Sequence, residues 1–288
     1  MKRNLHLLII DPQNDFCDLP DEYLSSPGGQ VANRPALPVT GAHADMLRLA
    51  DLVNRGLEGI SGMTVTLDSH HRRDIAHPGF WKTSAEGGVG PFTQITAADV
   101  RAGRYLPRNA QAAARTLAYL DALETAGRYQ LMVWPVHCEI GSWGHNVHAD
   151  VRTAYNRWED QRLGIVDKVI KGMNPWTEHY SAVMAEVPDA DDSDTGLNRR
   201  LIESLALADR IYIMGEAGSH CVKATTEHIV EYFDQTRLSR LVLVTDCMSP
   251  VTGFDAQYRD FLENMRARGV QIATSADVLP ELIANAQR

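Results

Sequence analysis

The sequence predicts an α/β fold: a doubly wound, mostly parallel six-stranded sheet with helices on both faces, a three-layer α/β/α arrangement. Two observations carry this. Short apolar runs rich in β-branched residues alternate with segments of helical periodicity. Several runs also end abruptly in Asp, His or a small-residue turn, as strands do where a parallel sheet opens onto a ligand.

In chain order, Leu5–Ile10 is the first strand and ends at Asp11. Asp18–Thr40, rich in Pro, Gly and Ser, reads as an irregular loop, and Ala42–Arg55 as a helix. Gly62–Leu67 is the second strand, closing at Asp68-Ser69-His70; Asn109–Glu124 is helical, and Tyr129–Val136 is a third strand closing at His137-Cys138. Val187–Thr195 holds Asp189, Asp191, Asp192 and Asp194; it lacks EF-hand spacing and reads as a solvated acidic loop. Gly196–Ala208 is a helix, Arg210–Met214 a fourth strand, Lys223–Phe233 a helix and Leu241–Thr245 a fifth strand. Ala256–Arg268, the Gly269 stop and Val270–Thr274 give a final helix and edge strand. The whole reads as one domain over 1–288, with loop insertions near 18–40 and 187–195.

Bulk properties narrow the function classes. Hydrophobic residues are 44% of the 288 and charged residues 23%, enough for a sizeable soluble core. A formal net charge of -9 with no basic stripe argues against nucleic acid and anionic membrane as partners. No run approaches membrane-spanning length, and the first apolar run is too short for a signal peptide, so a cytoplasmic location is the simpler expectation. Cys17, Cys138, Cys221 and Cys247 lie far apart without a CxxC pair.

One stretch concentrates the chemistry. Met214-Gly215-Glu216-Ala217-Gly218-Ser219-His220-Cys221-Val222 carries a cysteine from a strand, through a turn of small residues, to a helix start. A lone cysteine in such a domain is usually a small buried hydrophobe. Here the helix N-terminus favours a thiolate, which makes Cys221 the candidate nucleophile. Asp11, at the end of the first strand, can accept its proton. Neither Cys138 nor Cys247 has such a turn before it, and Cys17 sits in the first loop. In Asp11-Pro12-Gln13-Asn14-Asp15-Phe16, the residues Gln13, Asn14 and Asp15 read as groups that fix the loop.

Asp68, His70 and His137 form a carboxylate-and-two-imidazole set suited to a divalent metal, zinc first, with iron or manganese also accommodated. Of the spare histidines His71, His77, His145 and His148, only His77 is placed to fold over such a metal, through His77-Pro78-Gly79-Phe80-Trp81. Phe16, Trp81 and Tyr180 are candidate walls of the substrate pocket.

These residues together resemble the isochorismatase-like cysteine hydrolases, and among them the nicotinamidases. The resemblance runs from Asp11 to about Val251. It rests on the Asp-x-Gln-Asn-Asp-Phe stretch from Asp11 to Phe16, on Lys171-Gly172 followed by Tyr180-Ser181-Ala182, and on Cys221-Val222. The segments Asp68-Ser69-His70 and Trp134-Pro135-Val136-His137-Cys138 point to the nicotinamidase branch. The resemblance implies an Asp11, Lys171 and Cys221 triad, with Asp68, His70 and His137 as metal ligands. It also implies a cis peptide between Glu216 and Ala217, an oxyanion hole from the N–H groups of Ala217 and Cys221, and a homo-oligomer. The activity implied is metal-assisted hydrolysis of a small carboxamide through a Cys221 thioester. Several positions depart from the family pattern. Ser69 stands where an aromatic is usual, Glu139-Ile140-Gly141-Ser142 replaces a commoner Val-Gln-Gly-Thr, and Glu216 and His220 are polar. The loop after Phe16 is long, with Pro27-Gly28-Gly29 as the displaced counterpart of a family Pro-Gly-Gly stretch. The substrate therefore stays open between nicotinamide and another small amide, imide or ureido compound, and a silent binding or scaffold protein on the same fold is the remaining alternative.

Overall fold

The computed structural model describes residues 2–24 and 33–287. Pro27-Gly28-Gly29 lies outside them. The strands are β1 (Leu5–Ile10), β2 (Gly62–Asp68), β3 (Trp81–Thr83), β4 (Thr93–Ile95), β5 (Tyr105–Pro107), β6 (Leu131–Val133), β7 (Asp167–Lys171), β8 (Arg210–Gly215), β9 (Leu241–Val244) and β10 (Gln271–Ala273). The helices are α1 (Ala42–Gly56), α2 (Ala97–Arg101), α3 (Ala113–Ala126), α4 (Ala149–Arg162), α5 (Arg199–Ala206), α6 (Cys221–Tyr232), α7 (Asp255–Ala267) and α8 (Ser275–Ala286).

A six-stranded sheet runs in the order β10-β9-β8-β1-β2-β7, every pair parallel. From β1 the chain builds outward through β2 and β7, then returns to the other side of β1 and builds β8, β9 and β10. That reversal makes the β1/β8 boundary the switch point where an open parallel sheet leaves a crevice. β1 is central, and Leu7, Leu8, Ile9 and Ile10 are all fully buried, which is why it reads as a continuous apolar run. α1 packs against α4 and α8, while α6 packs against α7, giving the helical layers of the sandwich.

The sixth strand is not the expected one. Tyr129–Val136 contributes only β6, which pairs antiparallel with β4 in a separate ribbon, and β7 takes the edge of the main sheet. β7 escapes a hydropathy reading because Asp167-Lys168-Val169-Ile170-Lys171 is a half-exposed edge with charges along it. Between β2 and β7 the chain thus makes an excursion through the β3–β5 and β4–β6 ribbons and α3. Its own apolar cluster, with Ile75, Trp81, Ile95, Leu120, Leu131 and Val133, gives it a core separate from that of the sheet. No helix among the described residues is long and apolar enough to cross a membrane.

Candidate active site

Four neighbouring strands, β8-β1-β2-β7, bring their carboxyl ends to one place. Asp11 follows β1, Asp68 ends β2 and Lys171 ends β7, with Asp68 and Lys171 as register partners. β8 leads through the turn to Cys221, the first residue of α6. Gly215, at φ +121°, lets β8 lie against β1; a Cβ there would sit 2.0 Å from the Ile10 carbonyl oxygen. His220 precedes the helix without a side-chain cap. Among the described residues the N–H groups of Ala217 and Cys221 have no hydrogen-bond partner, and the Glu216–Ala217 peptide is cis.

Lys171 is the hub. Its Nζ lies 3.0 Å from Asp11 Oδ2 and 2.8 Å from Asp68 Oδ1. It donates to the His179 carbonyl at 3.0 Å and approaches Cys221 Sγ at 3.7 Å. Gly172 follows at φ +84°, where a Cβ would press on Asp68 Oδ1 at 3.0 Å. Asp11 itself adopts φ +41°, rare for a side chain of its type. Thr66 holds it from below: its hydroxyl accepts the Asp11 N–H at 3.0 Å and donates to Oδ1. Gln13 clamps the end of β2, accepting the Asp68 N–H at 2.7 Å and donating to the Asp68 carbonyl at 2.8 Å. Asp15 accepts the Cys138 N–H at 2.7 Å, fixing the chain just after His137. Gln13 and Asp15 are thus loop-fixing groups.

The electrostatics set the resting proton positions. Despite burial, the Asp11 and Asp68 carboxylates hold the Lys171 ammonium well above its ordinary range, so it is a fixed cation. Burial pushes the Cys221 thiol well up, and Asp11 and Asp68 outweigh the opposing pull of Lys171. The expectation of a resting thiolate from the helix N-terminus is therefore not met. The cysteine rests as a thiol beside a base. Burial likewise raises the Asp11 carboxyl, against Lys171.

Beside this triad lies a group of imidazoles. His70, His77 and His137 are buried and each offers a ligand atom within 4.8 Å of the others. Their outer partners assign the tautomers: Nδ1–H of His70 donates to Asp74 at 3.2 Å, that of His77 to the His71 carbonyl at 3.3 Å, and that of His137 to the Pro135 carbonyl at 2.8 Å. All three Nε2 lone pairs remain for an ion. Asp68 Oδ2 lies 3.1 Å from His70 Nε2 and 3.4 Å from His137 Nε2. Burial and its imidazole neighbours push His77 down to about 3, which keeps it a neutral donor. At His70 the Asp68 and Asp74 carboxylates overcome burial and raise the imidazole well above its usual range. The spot thus favours a positive charge, and the donor set fits a divalent metal. Asp68 joins the two halves of the site, with one oxygen toward Lys171 and the other toward the histidines.

A narrow pocket opens onto Cys221, lined by Phe16, Leu37, Trp134, Tyr180, Val251 and Ala217, with Asp68, His137, Glu178 and His220 as its polar members. Trp81 is not a wall. It is fully buried in the core of the excursion, its Nε1 donating to the Ile75 carbonyl at 2.7 Å. The tryptophan at the pocket is Trp134, whose Nε1 donates to Tyr180 Oη at 2.9 Å.

No family model matches the sequence, and no curated protein matches it. Solved structures do. The nicotinamidase/pyrazinamidase of Acinetobacter baumanii superposes with a TM-score of 0.61 at 19% identity, covering 96% of this chain and 98% of its own. The yeast nicotinamidase does so at 0.59 and 20%, covering 93% and 99%. The pyrazinamidase of Pyrococcus horikoshii, in complex with zinc, does so at 0.51 and 18%, covering 94% and 99%.

The chain has the nicotinamidase fold.

Within this nicotinamidase fold, the structure draws together all six polar residues singled out by sequence: Asp11, Lys171 and Cys221, with Asp68, His70 and His137. It adds His77, which sequence reading placed near a metal without making it a ligand. Trp134 was missed as a wall although it heads the Trp-Pro-x-His-Cys segment, and Glu178 although it stands two residues before Tyr180. The bland readings of other groups hold: His145 bonds Ser69 at 2.8 Å, His148 caps α4, and all four cysteines are free. Asp189 pairs with Arg115 and Asn174, and Asp192 caps the short turn at Ser193–Thr195.

Proposed function

We propose that this chain is a metal-assisted cysteine amidohydrolase that converts a small carboxamide, nicotinamide in the first instance, to its carboxylate and ammonia. The observation that carries this reading is the convergence of Asp11, Lys171 and the Cys221 thiol from three strand ends, beside a buried histidine group able to hold an ion. In the first step Cys221 Sγ attacks the carboxamide carbon as its thiol proton passes to Asp11. The N–H groups of Ala217 and Cys221 face the oxyanion; losing one such donor costs about 3 kcal/mol of transition-state stabilisation. Asp11 returns the proton to the leaving nitrogen, the C–N bond breaks and ammonia departs. Asp11 then takes a proton from the water that cleaves the thioester and gives it back to sulfur as the carboxylate leaves. Lys171 stays charged throughout and stabilises the anionic partners.

Asp68, His70, His77 and His137 would hold the divalent ion, which supplies a Lewis acid at the pocket floor. Zinc is the first choice, supported by the donor set and by the zinc in the Pyrococcus horikoshii structure. The substrate reading is supported by the nicotinamidase folds and by the aromatic walls at Phe16, Trp134 and Tyr180. Two polar pocket groups, Glu178 and His220, favour a second reading in which another small amide, imide or ureido compound is hydrolysed. The decisive experiment is ammonia release from nicotinamide by wild type and C221A with matched metal content. We expect wild-type turnover and a loss in C221A of roughly a thousandfold or more. Equal rates would remove Cys221 from the chemistry, and wild-type turnover of a different amide would move the substrate to the second reading.

A further inference from the structure

Glu178 is the one pocket acid that neither the triad nor the histidine group uses. It is 4% exposed and lines the same narrow pocket as Cys221, Tyr180 and His137. Its backbone is anchored on both sides: the N–H donates to Tyr119 Oη at 3.1 Å, and the carbonyl accepts the Glu186 N–H at 2.9 Å. The side chain is therefore aimed by its backbone. Oε1 accepts the neighbouring His179 N–H at 3.1 Å, while Oε2 is buried without a partner among the described residues. A buried carboxyl oxygen with no partner is destabilising, and such groups persist where a ligand completes them.

The remaining chemistry of the pocket says what would complete it. The walls are apolar or already satisfied, since Tyr180 Oη accepts from Trp134. Burial also raises the Glu178 carboxyl to about 8, so it can serve as either donor or acceptor near neutrality. A hydroxyl group answers a carboxyl in either state, an amino group answers its acceptor oxygen, and a methyl group of the same size answers neither.

Building on the amidohydrolase reading, we propose that Glu178 is a specificity-determining residue whose Oε2 hydrogen-bonds a hydroxyl or amino substituent on the substrate. The substrate class this selects is aromatic carboxamides carrying such a substituent, in preference to their methyl isosteres. Discrimination of this kind is strong because a site built for a hydrogen bond penalises the analogue that leaves its polar group unpaired.

The test compares kcat/KM for nicotinamides and benzamides bearing hydroxyl, amino or methyl at each ring position. Wild type, E178Q and E178L are used at equal metal content, with Tm measured for each. Wild type should prefer the polar substituent over methyl by about tenfold or more at one ring position. E178Q should keep that preference, and E178L should bring it to within roughly threefold while still hydrolysing the methyl compounds. A purely structural Glu178 would lower Tm and all rates together and leave the ratio unmoved, which would overturn the proposal. A wild-type ratio near one at every position would overturn it without any variant, so a misfolded E178L still leaves a decision. Absence of turnover on every carboxamide would sink the amidohydrolase reading itself, and this inference with it.

Discussion

Replacing Lys171 by Met removes the cation from between two buried carboxylates. Lys171 Nζ is 3.0 Å from Asp11 Oδ2 and 2.8 Å from Asp68 Oδ1, and all three side chains are at most 5% exposed. Taking one partner from a buried ion pair costs about 3–5 kcal/mol, because the remaining charge is left without compensation. Asp68 keeps its contacts to His70 and His137, so Asp11 should bear most of the loss. The cost should therefore fall when Asp11 is neutralised as well. In a double-mutant cycle on urea unfolding, K171M should lose about 3–5 kcal/mol and D11N/K171M should recover about 1–3 kcal/mol of it. In thermal unfolding the single mutant should melt about 10 °C lower. Metal content must be matched across the four proteins, since an ion beside Asp68 would itself offset the missing charge. A K171M protein within 1 kcal/mol of wild type, or a double mutant no better than the sum of its parts, would refute the picture of Lys171 as the charge that holds Asp11 ionised.

Two further outcomes follow from the geometry. H77A should weaken metal retention by about 10- to 100-fold, read as metal content after dialysis against graded chelator; unchanged retention would leave the ion to Asp68, His70 and His137. Glu186 is buried, with Oε1 unpartnered and Arg128 only 3.7 Å from Oε2, and burial raises its carboxyl to about 7. The folded state therefore holds a proton that the unfolded chain releases above the ordinary carboxylate range. The penalty is absent below about pH 4.5 and complete above pH 7, so E186Q should gain on wild type by about 3 kcal/mol across that window. A flat difference in urea stability between pH 4 and 8 would show that Glu186 ionises normally.

The legibility of this fold in the sequence follows burial. β1 and β9 are enclosed on both faces and announce themselves as unbroken apolar runs. β7 has one open edge and alternates with charge, so its sequence does not distinguish it from a loop. α4 buries only Val151, Ala154, Tyr155 and Trp158 along a polar helix, and α8 carries Pro280 inside it; both lie outside the helices read from periodicity. The site was more legible than the frame because strand ends in a parallel sheet are forced together whatever the intervening chain does. Asp11, Asp68 and Cys221 needed only their position after a strand. Trp81 misled because an aromatic next to a histidine gives no sign of which core it joins. Here it belongs to the excursion, while Trp134, further along the chain, reaches the pocket. Glu178 had no local signal at all, since its role depends on a backbone held by Tyr119 and Glu186 from elsewhere.

The excursion between β2 and β7 enters with His77 and leaves with His137, 60 residues later, and the two rings meet at 3.3 Å. Whatever ion they share is therefore also a clasp. A cross-link spanning that much chain restricts the unfolded ensemble by about 4 kcal/mol in the chain-entropy picture. Loading the site and folding the excursion are then one equilibrium seen from two ends: each gram of order gained by the small apolar core tightens the grip on the ion, and the ion returns the same free energy to the core.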